Sequence, residues 1–326
     1  MAISPQPNLP FDITPSVPSA AQVSDFIVDS LPDIDVESLS FTQFKTAVRS
    51  GTDLLLAAIF ASNRGNDVVQ VARYASMGSG HRWRVMIAVA AGQIFSRSAF
   101  RLCMPGGVGV ELAHCASIIL DDLPSMDDGQ FRRGKPCPHL VFPRWAVDLA
   151  PVYMVLCAYR LGLENQLVSC ETRVATANEI GAAGMAMIAG QALDITHTLA
   201  APESRTMLDC YENKSGALYA AAAKAGAMSA GSSDKDAALL FRAGMCVGIS
   251  YQFLDDVADA TAAFAETGKL PGQDRSKPTA VHFYGIEGTR ALGNQYREEA
   301  LDILDQFGKR AGRLCEIARG ASWAVA

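Results

Sequence analysis

Apolar residues recur along most of the chain at intervals of three and four residues, the spacing of one face of an α-helix. From about residue 40 onward these segments have helical lengths and are separated by short polar or Gly/Pro breaks. Strand-like alternation is almost absent, and no long repeat suggests a solenoid. The pattern predicts one all-α domain with helices near 41–61, 66–77, 84–101, 107–122, 146–163, 171–197, 204–230, 234–263 and 288–318.

The first residues of the chain have a different composition. Residues 1–40 contain no Lys or Arg, so neither a secretory signal nor an Arg-rich transit peptide is expected. They are rich in proline, which disfavours regular structure: Pro5, Pro7, Pro10, Pro15, Pro18 and Pro32. We predict a flexible Pro-rich leader at 1–38, followed by the folded domain at 39–326.

Charge and cysteine usage exclude several classes of protein. The net charge of -6 makes a broad nucleic-acid surface unexpected, because such surfaces rely on clustered Lys and Arg. The eight cysteines are scattered without a Cys-x-x-Cys pair, which is typical of reduced thiols in a cytoplasmic protein. The most apolar stretch, around 145–161, is interrupted by Asp148 and Arg160, so no membrane span is predicted.

Four aspartates crowd a short stretch after an apolar helix. In "IILDDLPSMDDGQFRRGKP", Asp121 and Asp122 are followed by Asp127 and Asp128. His114 shares the helix face of Asp121, and Pro124 should end the helix so that Asp127 folds back toward Asp121. Taken alone, this stretch is equally well explained as a solvated acidic helix end.

A second acidic cluster makes that explanation insufficient. "YQFLDDVADA" carries Asp255, Asp256 and Asp259 inside an apolar helix, and Asp255 and Asp259 lie one turn apart. Like charges at this spacing destabilise a helix unless a cation sits between them. Carboxylates without His or Cys neighbours favour Mg²⁺, which usually completes its shell with water and phosphate oxygens. The two clusters therefore predict a magnesium-bound diphosphate between two helices.

Basic residues flank both clusters. Arg132 and Arg133 follow the first cluster, Lys269 and Lys277 follow the second, and "YENKSGALY" carries a lysine between them. Upstream, "GSGHRWRV" places basic residues in a Gly-rich break. Each of these is commonly an ordinary surface side chain, but together they indicate two anionic groups, one held by metal and one by side chains.

These motifs resemble the trans-isoprenyl diphosphate synthases, also called polyprenyl synthetases. "VELAHCASIILDDLPSMDDGQFRRGKP" is similar to the family's first aspartate-rich motif in its longer bacterial form, and "YQFLDDVADA" to the second. "KSG", "GK", "SKPT" and "GSGHRWR" resemble the family's remaining elements, in the family's order from about residue 70 to 285. The resemblance implies a helical bundle of the isoprenoid synthase type with a central apolar cavity, usually as a homodimer.

The resemblance also implies the residue roles and the reaction, a condensation of isopentenyl diphosphate with an allylic diphosphate by ionisation, condensation and elimination. The implied magnesium ligands are Asp121, Asp122, Asp127, Asp255, Asp256 and Asp259. The implied contacts to the allylic diphosphate are Arg132, Lys214, Gln252, Lys269 and Lys277, with Ser215 at a helix break. The implied catalytic set is Asp121, Asp122, Asp127, Lys214, Asp255 and Asp256.

The isopentenyl diphosphate site departs from the family pattern. Arg84, His114 and Arg133 match it, whereas His81 stands where the family has a lysine. A neutral imidazole should bind diphosphate less tightly than a lysine does, and the affinity should depend on pH. A class I terpene cyclase, which needs no isopentenyl site, therefore remains an alternative, as does a non-catalytic synthase subunit.

Product length depends on the residues before the first cluster. In the family, a bulky aromatic residue at the position of Ala116 stops growth at fifteen carbons. Ala116 and Ser117 are both small, and Ala113 extends the same helix face. We therefore expect a twenty-carbon product, geranylgeranyl diphosphate, with farnesyl diphosphate as the alternative.

Overall fold

A computed structural model of the chain describes residues 31–61, 65–78, 80–197, 199, 202–261 and 278–320. Helices dominate these residues, which confirms the predicted all-α fold. We number the α-helices as α1 (Phe41–Ile59), α2 (Asp67–Ser76), α3 (Trp83–Gln93), α4 (Ala99–Asp121), α5 (Arg144–Leu163), α6 (Cys170–Thr196), α7 (Ser204–Cys210), α8 (Ala217–Ser229), α9 (Asp234–Thr261), α10 (Ala280–Asp305) and α11 (Gly312–Arg319).

The remaining regular elements are short. Three 3₁₀ turns lie at Val36–Ser38, Pro138–Leu140 and Gly308–Ala311, and a π-helical segment, Tyr211–Gly216, joins α7 to α8. Strands β1 (Phe131–Arg132) and β2 (Lys135–Pro136) form an antiparallel hairpin.

Local sequence explains where several helices start. Ser40 precedes α1 and forms a capping box with Gln43, so that two backbone donors at the helix end are satisfied. Ser169 caps α6 by accepting from the backbone N–H of Thr172, and Asn66 caps α2 in the same way through Val68. These caps fix the helix starts independently of the core.

The centre of the bundle is the Ala-rich helix α8, which packs against α3, α4, α6 and α9. Most of its residues are fully buried, and their small side chains let the neighbouring backbones approach closely. Gly226 is the clearest case, because a side chain there would collide with the carbonyl oxygen of Ala88 on α3. Helix α4, which carries the first acidic cluster, is thereby held against the core.

Several predicted helices differ from the structure in detail. The segment predicted at 288–318 begins earlier, at Ala280, and its α-helical structure is interrupted between Asp305 and Gly312. The segment predicted at 84–101 is split, because the chain turns after Gln93 and α4 begins at Ala99. The Ser96 hydroxyl accepts from the Ser98 N–H within this turn. The segment predicted at 204–230 is helical throughout but contains the π segment. Apolar periodicity missed the break after Gln93 because α3 and α4 both bury most of their residues. It does not register a π segment, since the chain there remains helical.

Other predictions concern the chain start and membranes. Residues 1–30 lie outside the described residues, while Leu31 and Val36 are buried against the core. Helices α4, α5 and α9 are long and apolar enough to cross a membrane by length and composition alone. In the most apolar window of α4, 78% of the residues are buried inside the protein, which accounts for its composition without a bilayer.

Candidate active site

The first acidic cluster lies at the C-terminal end of α4. The helix ends at Asp121, and the chain turns back so that the Asp127 N–H donates to the Asp121 carbonyl oxygen at 2.9 Å. This fold-back was expected from Pro124. Burial raises the pKa of Asp121, with Asp127 and Asp194 adding to the effect and Lys214 and Arg132 opposing it. A bound cation would relieve this excess of negative charge.

Asp122 has a protein partner. Its side chain is 1% exposed, and its carboxylate accepts from Arg132 at 2.7 Å (Nη2–Oδ1) and 3.2 Å (Nε–Oδ1). Gly129 leaves space for this pair, because a Cβ there would lie 2.7 Å from Asp122 Oδ1. These two hydrogen bonds fix the Arg132 guanidinium group beside the first acidic cluster.

The hairpin explains why two adjacent arginines differ in surroundings. Arg132 is in β1, whereas Arg133 and Gly134 form the two-residue turn with φ angles of 53° and 73°. Positive φ at both turn positions matches the twist of a hairpin. Arg133 reaches the Gly-rich loop, where a Cβ on Gly80 would lie 2.9 Å from its Nη1.

Lys214 connects three helices at the first cluster. Its Nζ lies 2.7 Å from Asp194 Oδ2 on α6 and 3.7 Å from Asp121 Oδ2 on α4. Gly190 allows the approach, because a side chain there would overlap the backbone of Lys214. Asp194 is a residue that the sequence analysis missed. Its position as a carboxylate within the mostly apolar sequence of α6 could have indicated a functional role.

The second cluster is tied to the π segment by a chain of hydrogen bonds. Ser215 Oγ donates to Gln252 Oε1 at 2.6 Å, and Gln252 Nε2 donates to Asp256 Oδ1 at 3.1 Å. Because Lys214 and Ser215 are adjacent, the π segment contacts both acidic clusters. Such single-turn π insertions are frequent at functional sites.

Asp256 is the buried member of the second cluster. Its Oδ2 accepts from the hydroxyl of Tyr211 and, at 2.9 Å, from the backbone N–H of Ala280 at the start of α10. Burial raises the pKa of Asp256 to about 7, although these hydrogen bonds act in the opposite direction. Asp255 and Asp259 are only half-buried, a difference that the repeated aspartates of the motif did not indicate.

The predicted isopentenyl site is strongly basic. The Arg84 guanidinium lies 4.4 Å from the ring centroid of Tyr219, and its buried Nε has no hydrogen-bond partner among the described residues. Burial lowers the pKa of His114 well below its usual range, and Arg84, Arg133, Arg132 and Arg82 lower it further. A neutral His114 among guanidinium groups suits an anionic ligand.

Arg82 has a different role from its neighbours in the Gly-rich loop. It is buried and bridges Asp53 on α1 at 3.1 Å and Glu111 on α4 at 3.2 Å. It also donates to the Ser76 carbonyl oxygen and adopts a left-handed φ of 60°. The sequence placed Arg82 among the basic residues of "GSGHRWRV", and its acidic partners could not be recognised because they are distant in the chain.

Other predicted residues are placed as follows. Ala116 and Ala113 are each 2% exposed on α4, and the hydroxyl of half-buried Ser117 donates to the His114 carbonyl oxygen at 2.9 Å. Lys269 and Lys277 lie outside the described residues.

The carboxylates of the two clusters are the candidates for holding magnesium. Among the described residues, no three His, Cys, Asp or Glu side chains lie close enough together to form a complete metal site. Magnesium held by one or two carboxylates plus substrate phosphates needs no such group. Asp121, with its raised pKa, suits this mode, whereas Asp122 and Asp256 are engaged with protein donors. The ligand roles of all six aspartates remain predictions.

Comparison with known proteins identifies the class. The chain belongs to the polyprenyl synthetase family, whose model matches residues 66–311. It is 30% identical over 281 residues to a probable farnesyl diphosphate synthase of Sinorhizobium fredii, covering 82% of this chain and 83% of the relative. It is 32% identical over 255 residues to the mitochondrial geranylgeranyl pyrophosphate synthase 6 of Arabidopsis thaliana, covering 74% and 75%.

Solved structures agree with this assignment. An FPP/GFPP synthase from Zymomonas mobilis superposes with a TM-score of 0.76 and 25% identity, over 86% of this chain and 98% of that one. A Helicobacter pylori geranyltransferase, solved with magnesium and isoprenyl diphosphate, shares the fold with a TM-score of 0.74 and 22% identity, over 87% and 97%. The protein is therefore a trans-prenyltransferase of the isoprenoid synthase fold, as the motifs indicated.

Proposed function

We propose that this prenyltransferase condenses isopentenyl diphosphate with an allylic diphosphate to make geranylgeranyl diphosphate. The observation that carries the product length is the small, buried face of α4 behind the first cluster, formed by Ala116 and Ala113. A growing chain that enters this face meets only small side chains at these two positions. The side chain that stops chain growth must then lie more than one helical turn below Asp121.

The residues support the expected chemistry. Lys214, held by Asp194 and Asp121, offers a fixed positive charge to the departing diphosphate. Magnesium, when bound by the aspartates, would supply Lewis-acid stabilisation of the same negative charge. Arg84, His114 and Arg133 hold the second diphosphate, and the apolar walls of α4 and α8 keep water from the allylic cation. The released diphosphate can accept the proton, so no protein base is required.

Farnesyl diphosphate synthesis is the second candidate, because curated relatives at similar identity carry both names. The deciding experiment supplies purified protein, Mg²⁺ and labelled isopentenyl diphosphate with each allylic primer, followed by chromatography of the products. A twenty-carbon product is expected. A product that stops at fifteen carbons would exclude our proposal, and cyclised products without consumption of isopentenyl diphosphate would indicate a terpene cyclase.

We also propose that two copies associate through α5 and α6. Helix α5 exposes a row of apolar side chains at helical spacing, with Leu149 at 52% exposure and Val152 and Leu156 at 59% each. Helix α6 packs beside α5 and exposes Met185 at 69% and Ile188 at 66%. Apolar patches of this kind mark protein interfaces. A second copy presents the same apolar row, so it is the partner that we propose.

For localisation we propose the cytoplasm. None of the eight cysteines, all of which the structure describes, forms a disulfide, and seven of them are buried, which suits a reducing compartment.

A further inference from the structure

His81 contributes no positive charge to the predicted isopentenyl site. Its ring stacks on the indole of Trp83, with centroids 6.0 Å apart. Burial lowers the pKa of His81, and the nearby cations Lys45, Arg49 and Arg133 lower it further. At neutral pH the imidazole is therefore uncharged, although the family has a lysine at this position.

Two of these cations come from α1, which the motifs did not include. Lys45 and Arg49 are four residues apart and share one face of that helix. The Lys45 Nζ lies 5.8 Å from the Trp83 ring centroid and 6.0 Å from that of Phe41. These contacts hold the ammonium group beside the indole on which His81 stacks.

The acidic residues nearby do not neutralise these cations. Asp53, one turn beyond Arg49, pairs with Arg82, and Glu111 pairs with the same guanidinium. Neither Lys45 nor Arg49 forms an ion pair with any residue in the described part of the chain. Arg133 adds a third cation across Gly80. Positive groups collected around a neutral ring favour a multiply charged anion.

We propose that Lys45 and Arg49 bind the diphosphate of isopentenyl diphosphate and replace the charge that His81 lacks. This inference rests on the proposed prenyl transfer, and it adds α1 to the isopentenyl site. The bound diphosphate would lie between α1, the Gly-rich loop and the hairpin turn. The allylic diphosphate, at Lys214 and the two acidic clusters, is not part of it.

The test uses Lys45→Met, Arg49→Met and the double variant, which keep an apolar stem but lose the charge. Each single variant should raise the KM for isopentenyl diphosphate roughly tenfold, the usual scale for one charged hydrogen bond. The KM for the allylic substrate should stay within twofold. Lys235→Met is the matched control, since this residue lies 20 positions before Asp255 on α9, about 30 Å along the helix.

A rescue experiment separates charge replacement from a structural effect. His81→Lys should restore most of the isopentenyl diphosphate affinity in the Lys45→Met background, and change it little in the unmodified chain. Calorimetric titration with isopentenyl diphosphate gives the same comparison without turnover. An unchanged KM in the double variant, an equal rise for both substrates, or the absence of rescue would each overturn the proposal. Because the unmodified chain is assayed alongside, inactivity there would instead count against the proposed prenyl transfer.

Discussion

Asp256 is buried, whereas Asp255 and Asp259, the other carboxylates of the second cluster, are half-buried. We therefore expect Asp256 to stabilise the fold and the other two to act mainly in catalysis. Asp256→Ala would leave the Tyr211 hydroxyl and the Gln252 Nε2 without their acceptor, while the Ala280 N–H would keep the Tyr211 oxygen. We expect the free energy of unfolding to fall by about 3 kcal/mol, since each stranded buried donor is costly. Denaturant titration in the absence of Mg²⁺ measures this change.

Asp259→Ala is the matched control on the same helix. Its side chain is half-exposed, so its removal should change stability by less than about 0.5 kcal/mol. As a predicted magnesium ligand, however, it should affect turnover and its Mg²⁺ dependence. Equal losses of stability in the two variants would contradict the structural role of Asp256.

His114 gives the fold a pH dependence. Its pKa in the folded chain is lowered from 6.5, mainly by burial and then by the surrounding arginines. The unfolded chain therefore binds this proton more readily, so the stability from neutral His114 is present above pH 6.5 and lost as the pH falls toward the folded value. Without substrates, His114→Gln should flatten this fall in unfolding free energy. The exposed residue His282 supplies the control, and His282→Gln should retain the slope of the unmodified chain.

At the scale of the helix, α4 sets the expected product length. Ala116→Phe should shift the product from twenty toward fifteen carbons, because an aromatic ring would close the apolar face one turn below Asp121. Ala116→Ser keeps a small side chain and should keep the product of the unmodified chain. Product chromatography distinguishes them, with circular dichroism to confirm the fold. An unchanged product in a folded Ala116→Phe variant would show that a side chain on another helix limits the product length.

A structural feature could be predicted from the sequence when it depends on residues that are close together in the chain. Helix periodicity and the aspartate motifs depend on neighbouring residues, so the all-α fold and the turn between Asp121 and Asp127 could be predicted. The break after Gln93 could not, because the turn at 95–98 contains neither proline nor glycine to mark it. The partners of Arg82 and Lys214 were also missed. Those ion pairs join helices that are distant in sequence, and only packing brings them together.

At the scale of the whole molecule, the apolar row on α5 predicts the assembly. Light scattering should give about twice the 34.6 kDa of one chain at micromolar concentration. Leu149→Asp with Leu156→Asp should yield single chains, because burying carboxylates at an apolar interface is costly. Ile286→Asp, an exposed apolar position on α10, is the control and should leave the mass unchanged. A single-chain mass for the unmodified protein would reject the dimer.

The Asp256 carboxylate also has a consequence for how the sequence can diverge. It belongs to α9, yet it accepts from the first backbone N–H of α10. A substitution that removes the carboxylate therefore loosens two helices at once, and proline at position 280 would have no N–H to donate. Positions 256 and 280 should thus be constrained together, although 24 residues separate them in the chain.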